Sequence, residues 1–161
     1  MYYFLIGFMG AGKTTFGAQL AQQQGWEFID LDAYIEKISQ ISVNQLFAEK
    51  GEAIFRQIEA DALRMLVNSH SFPPLAAALP CLIACGGGTP LYFDNHAFMK
   101  SVGKTIYLKI SPEILAERLN KDKEKRPLLQ NMTEAELLAF IQQKLQAREE
   151  EYEKADVILL A

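Results

Sequence analysis

The chain has 161 residues, 50% of them hydrophobic and 22% charged, which is enough for one domain with a real core and no need of disulfides. Its 16 basic and 20 acidic residues give a net charge of -4, which weighs against a nonspecific nucleic-acid binder, since such a protein needs a strong basic excess. The apolar start, Tyr2 to Phe8, is too short to span a bilayer and lacks the basic segment that precedes a secretory signal, so a cytoplasmic protein with no membrane contact is expected.

Apolar runs alternate with helical patterns along the chain. Tyr2–Ile6 reads as a strand, and Lys13–Gln24 as a helix stopped by Gly25. Glu27–Asp30 is a short strand ending in acid. Leu31–Ser39 and Val43–Asn68 are expected to be helical, with a break near Gly51. Ser69–Pro80, with three prolines, reads as a loop. Cys81–Cys85 is a fully apolar strand running into Gly86-Gly87-Gly88, and its two cysteines, four residues apart, read as buried reduced thiols. Thr105–Lys109 is a fourth strand. Ser111-Pro112 opens a helix, with serine as N-cap and proline at the first helical position. Lys121–Met132 is charged and irregular. Thr133-Glu134-Ala135-Glu136 is a capping box that opens a long helix to about Lys154, and Val157–Leu160 is a last strand. Short strands that are apolar throughout, alternating with helices, predict an α/β domain with a mainly parallel sheet between helical layers.

Gly7-Phe8-Met9-Gly10-Ala11-Gly12-Lys13-Thr14 matches G-x-x-x-x-G-K-[ST], with an apolar strand before it and a helix after it. The glycines let backbone N–H groups wrap a phosphate, and the helix N-terminus adds positive potential. Lys13 would reach the β- and γ-phosphates, and the Thr14 hydroxyl would ligate Mg²⁺. Switch GTPases, motor ATPases and small-molecule kinases all carry such a loop. The base-reading N/T-K-x-D segment of a switch GTPase is absent from this sequence.

Asp30 and Asp32 close the second strand, at the sheet edge where ligands bind in open parallel sheets. Their even spacing would send both to one side of an extended chain. One could hold Mg²⁺ through water and the other take a proton from a substrate hydroxyl; the plainer alternative is that Asp32 only caps the next helix. Further on, Ile54, Phe55, Ile58 and Ala62 are expected to form the apolar stripe of a helix, with Glu52, Arg56 and Glu59 on the opposite side. Taken alone, that trio reads as a solvated charge cluster; its second reading is an arginine fork held by acids and aimed at a substrate carboxylate. Gly86, Gly87 and Gly88 pack nothing, and suit a place where a ligand comes right up to the backbone.

On the final helix Leu137, Leu138, Ile141, Leu145 and Tyr152 define a stripe with Arg148 at its centre, and an inward guanidinium needs an anion from protein or ligand. The charged segment about 118–132 reads as a hinged lid from which Arg126 could swing onto the transferring phosphoryl group, with closure excluding water.

The segments GFMGAGKTT (7–15), FIDLD (28–32), GEAIFRQIE (51–59), CGGGT (85–89), RPLL (126–129) and REEEYEKAD (148–156), taken in order, resemble the shikimate kinase family over about residues 3–159. The resemblance implies a three-layer α/β/α P-loop kinase fold over 1–161, with a five-stranded parallel sheet in the order 2-3-1-4-5, a substrate-binding helical segment about 31–68 and a lid about 118–132. It implies ATP-dependent phosphorylation of the 3-hydroxyl of shikimate, on the route to chorismate and the aromatic amino acids; a kinase for another small hydroxylated acid such as gluconate is the alternative. ATP would be bound by Gly10, Ala11, Gly12, Lys13, Thr14, Thr15 and Arg126, and Mg²⁺ served by Thr14 and Asp30. Shikimate would be bound by Asp32, Arg56, Gly86, Gly87, Gly88 and Arg148, with Glu59 orienting Arg56. Lys13, Asp32 and Arg126 would be catalytic. A monomer is expected. The sequence departs from the family in having Thr14-Thr15 where Ser-Thr is usual, and it ends at Ala161, directly after the last strand, so no adenine contact is assigned.

Overall fold

The computed structural model describes residues 1–70, 79–123 and 129–160. Strands β1 (Tyr2–Ile6), β2 (Glu27–Asp30), β3 (Cys81–Ala84), β4 (Gly103–Lys109) and β5 (Val157–Leu160) form one parallel sheet in the order β2-β3-β1-β4-β5, as expected. β1 is central: Phe4 pairs with Ile83 on one side and Thr105 on the other. Phe4, Leu5 and Ile6 are all fully buried. Three consecutive buried residues require cover on both faces, which is why this strand does not alternate. Burial of each such side chain contributes roughly 1.5–3 kcal/mol.

The helices are α1 (Lys13–Gln24), α2 (Leu31–Ser39), α3 (Val43–His70), α4 (Asn95–Val102), α5 (Pro112–Lys121) and α6 (Glu134–Tyr152). α1 packs on β2 and β3, α4 on β4, α2 on α3 and α5 on α6. Non-helical dihedrals at Gly51 split α3, as expected, and the helix runs two residues past the expected Asn68. Residues 71–78, most of the proline-containing loop, lie outside the described residues. Ser111 caps α5, and Thr133 with Glu136 forms the capping box of α6. β4 starts two residues before the expected Thr105, β3 ends one residue before Cys85, and α6 stops at Tyr152.

α4 is an element beyond those expected from the sequence. It is 8 residues long, and its N-cap Asp94 makes no side-chain cap bond. Two of its three buried residues are polar, Asn95 and His96, while Met99 is buried in the core with Phe98 and Val102 packed against it. Near the amino ends of the strands, Tyr3 stacks on Trp26 with ring centroids 4.5 Å apart and planes 5° apart. The carboxyl ends of β1, β2 and β3 share the opposite edge, where the 7–14 loop, Asp30 and the 86–88 turn begin, whereas the predicted segment 51–59 comes from within α3.

Candidate active site

The loop between β1 and α1 has the backbone that its glycines imply. Gly10 and Gly12 hold φ of +80° and +89°, a left-handed region where a side chain would be strained. α1 begins with no side-chain cap, the arrangement in which helix amides and dipole attract an anion. Lys13 Nζ donates to the carbonyls of Gly7 (2.9 Å) and Phe8 (3.0 Å), so its stem lies across the loop. Arg118 Nη1 donates to Ala11 O at 2.9 Å. A cleft of about 800 Å³ opens above these groups, lined by Gly10, Ala11, Gly12, Lys13, Thr14, Thr15, Asp30, Asp32, Gly86, Gly87 and Arg118. Its size and its loop suit a nucleoside triphosphate.

The Thr14 hydroxyl donates to Asp30 Oδ2 at 2.6 Å, which places a hydroxyl and a carboxylate side by side at the loop. This all-oxygen pair fits Mg²⁺. Among the described residues no group of three or more His, Cys, Asp or Glu could close a cage around a metal.

The cap of α2 is Asp30, whose Oδ1 accepts from Ala33 N at 3.2 Å; the plainer expectation, that Asp32 caps the helix, is overturned. Asp32 is not extended either. It is the second residue of α2, and the turn of the helix, rather than strand alternation, brings it into the same cleft as Asp30. Burial, with the Glu59 and Asp30 carboxylates adding, pushes the Asp32 carboxyl up to about 6 from 3.8; Lys13 and Arg56 pull the other way. Asp32 therefore lies within electrostatic reach of both the phosphate loop and the α3 arginine.

Two members of the charge trio on α3 are buried, while Glu52 stays on the solvated face. Arg56 is 8% exposed and Glu59 fully buried, whereas Ile54, expected in the apolar stripe, is 51% exposed. Arg56 Nη1 donates to Glu59 Oε2 at 3.0 Å, and Nη2 to Glu52 Oε1 at 3.1 Å. Its guanidinium carbon lies 5.6, 5.2 and 5.0 Å from the ring centroids of Phe47, Phe55 and Tyr92. Aromatic faces on the guanidinium and acids on its edges hold the fork in one orientation.

The triple glycine makes room for that cluster. A Cβ at Gly88 would lie 2.5 Å from the Arg56 guanidinium, and one at Gly86 2.6 Å from Glu59 Oε1 and 3.4 Å from Asp32 Oδ1. Gly86 and Gly87 line the cleft, while a Cβ at Gly88 would meet Arg56. Arg148 and Arg56 do not line the cleft itself. The Arg148 guanidinium carbon is 5.5 Å from the ring centroid of Phe8, within the phosphate loop. Among the described residues no carboxylate forms an ion pair with it. One turn later the Tyr152 hydroxyl donates to Gly87 O. Tyr152 feels the charge of both Arg148 and Arg56, so the two arginines are not on separate outer surfaces.

Arg126 falls in 124–128 and lies outside the described residues. Thr89 and Tyr152, both fully buried against the glycine turn, carried no site signal: each sits where a core residue would. Cys81 and Cys85 are buried and unbridged. Burial pushes the Cys81 thiol up to about 11 and the Cys85 thiol higher, which makes both poor nucleophiles.

The sequence model of the family described as Shikimate kinase matches residues 9–161. This chain belongs to that family. It is 46% identical to a shikimate kinase of Parabacteroides distasonis over 96% of this chain and 84% of the relative. A crystal structure of shikimate kinase from Bacteroides thetaiotaomicron superposes with a TM-score of 0.89 at 40% identity, covering 100% of this chain and 86% of that one. Shikimate kinase from Acinetobacter baumannii, solved in complex with shikimate, gives a TM-score of 0.81 at 32% identity, over 98% of this chain and 82% of that one. The parallel sheet and its strand order are thus those of the shikimate kinase P-loop fold, and the members of this family are small-molecule kinases that use ATP with Mg²⁺.

Proposed function

We infer that this chain phosphorylates the 3-hydroxyl of shikimate with ATP, giving shikimate 3-phosphate and ADP on the route to chorismate and the aromatic amino acids. The observation that carries this reading is geometric: Asp32 lines one cleft with the phosphate loop and Lys13, next to the glycine turn that packs on the Glu59-held Arg56 fork; its carboxyl is raised to about 6 by burial. A base with a pKa near the working pH accepts a proton efficiently without being protonated at rest. Asp32 would receive the hydroxyl proton as the substrate oxygen bonds to the γ-phosphorus and the bridging P–O bond to ADP breaks. Arg56 and Arg148 would hold the carboxylate, with the Gly86–Gly88 turn against the ring. The glycine loop and Lys13 would hold the phosphates. Thr14 and Asp30 would hold Mg²⁺, which would supply charge neutralisation on the phosphate oxygens. Arg126, on a lid about 118–132, would complete the phosphoryl contacts. The complex of the Acinetobacter baumannii relative with shikimate supports the same acceptor here.

We further propose a single domain over 1–161 with its acceptor segment about 31–68, acting as a cytoplasmic monomer without nucleic-acid or membrane partners. Among the described residues no helix is long and apolar enough to cross a membrane. A coupled assay with ATP and shikimate tests the function, with ADP release and a phosphorylated acceptor as the expected result. Release no greater than the shikimate-free background, or phosphorylation of gluconate in its place, overturns it.

A further inference from the structure

Behind the acceptor wall the buried polar groups form a continuous series. The two oxygens of buried Glu59 have separate partners: Oε2 accepts from Arg56 Nη1 at 3.0 Å, and Oε1 accepts from the Thr89 hydroxyl at 2.6 Å. Thr89 is fully buried, and its carbonyl accepts from Asn95 Nδ2 at 2.9 Å. Asn95, also fully buried, accepts from Arg64 Nη1 at 2.6 Å through Oδ1. The series therefore runs from the start of α4, through the residue that follows the glycine turn, to the arginine on α3.

The terminal torsion of a glutamate is broad and soft. A carboxylate held at one oxygen can swing about that contact; one held at both oxygens has its plane fixed. Arg56 is held on Nη1 by Glu59, so the plane of Glu59 sets the direction of the guanidinium. Glu52 grips the other edge, but its side chain is 55% exposed and can move away. Thr89 is the group that keeps the buried acid from turning.

We propose that Thr89, braced by Asn95, is a positioning residue for recognition of the acceptor carboxylate: its hydroxyl fixes Glu59 and through it the direction of Arg56. This rests on the reading of Arg56 as a carboxylate ligand. A role in stability alone would lower the melting temperature without discriminating between substrates.

Steady-state kinetics of Thr89→Val, Thr89→Ala and Thr89→Ser beside the wild type separate these roles. Thr89→Val keeps the volume and removes the hydroxyl. Its KM for shikimate should rise about tenfold, the weight of one hydrogen bond to a charged group, with KM for ATP changed by less than about twofold. Thr89→Ser should stay within about threefold of the wild type, because the hydroxyl is kept. An acceptor analogue with a hydroxymethyl group in place of the carboxylate should lose much less than shikimate does. Equal losses for acid and analogue, or a fall in melting temperature with KM unchanged, overturn the proposal. If Thr89→Val does not fold, Thr89→Ala, which leaves space for a water, is held to the same comparison, and an unchanged KM there overturns it as well. A wild type that does not phosphorylate shikimate overturns the functional reading instead, so the two failures are distinguishable.

Discussion

The two halves of the cleft are built by different means. The phosphate half is backbone: eight contiguous residues, left-handed glycines and the first turn of α1. The acceptor half is side chain: Asp32, Arg56, Glu59, Thr89, Arg148 and Tyr152 arrive from α2, α3, the turn after β3 and α6. Glycine serves the first half by its dihedral angles and the second by its lack of a Cβ, since Gly86, Gly87 and Gly88 all have ordinary φ. A phosphate is common to many substrates and can be met by amides alone, whereas a ring carrying both a carboxylate and hydroxyls needs charge and proton chemistry placed at separate points.

The largest effect that would test this division is on the phosphate side. Lys13→Ala should lower kcat about 1,000-fold while circular dichroism and melting temperature stay close to wild type, because the lysine stabilises transferring charge and little of the core. A near-normal kcat would remove the loop from catalysis.

Asp32→Asn should lower kcat about 100-fold or more, and it should also remove the acid limb of the rate profile. In the wild type, kcat/KM for shikimate should rise with pH through an apparent value of about 6, since the base acts in its deprotonated form. The sign for stability is opposite. The folded pKa, about 6, lies above the ordinary 3.8, so the folded chain binds the proton more tightly than the unfolded one does. Asp32 is therefore harmless to stability below about 3.8 and costs stability as pH rises from there through 6, on the order of 1–3 kcal/mol at pH 7. Thermal melts at pH 7.5 should show Asp32→Asn to be the more stable protein. A lower melting temperature would mean that the carboxylate is structural.

Arg148→Leu should raise KM for shikimate about 10- to 100-fold and that for ATP much less, as expected for the loss of a charged hydrogen-bonding partner. Unfolding, or an equal change for both substrates, would place Arg148 among structural groups. Gly88→Ala is the mildest and most specific test. Its added methyl must push on the Arg56 guanidinium, so KM for shikimate should rise about threefold to tenfold, with a stability loss of about 1–3 kcal/mol from overpacking. A change confined to KM for ATP would contradict the division.

The same contrast explains what could be read from sequence. The phosphate loop was legible because its chemistry is contiguous and its spacing is dictated by one turn of backbone. The sheet was legible because strands covered on both faces are apolar throughout. The state of Arg56 was not: by pattern it belongs to a surface trio, and only the fold shows Glu59 buried and Ile54 exposed. Helical periodicity assigns a face to each residue but not what covers that face, and here a polar network and the glycine turn cover the charged one. Asp32 was placed in the right cleft for the wrong reason, through strand alternation instead of a helix turn. Thr89 was silent because its anchoring is polar, with Glu59 distant in sequence. The six family segments, taken together, supplied the roles that local pattern could not.

Trp26 is the single tryptophan of the chain and lies against Tyr3, next to the amino ends of the strands and away from the cleft. Its fluorescence will therefore track loss of the native state and stay nearly silent when small molecules occupy the other end of the sheet. An optical titration of this enzyme calls for a second indole introduced beside the cleft, whereas its denaturation can be followed with the chromophore it already has.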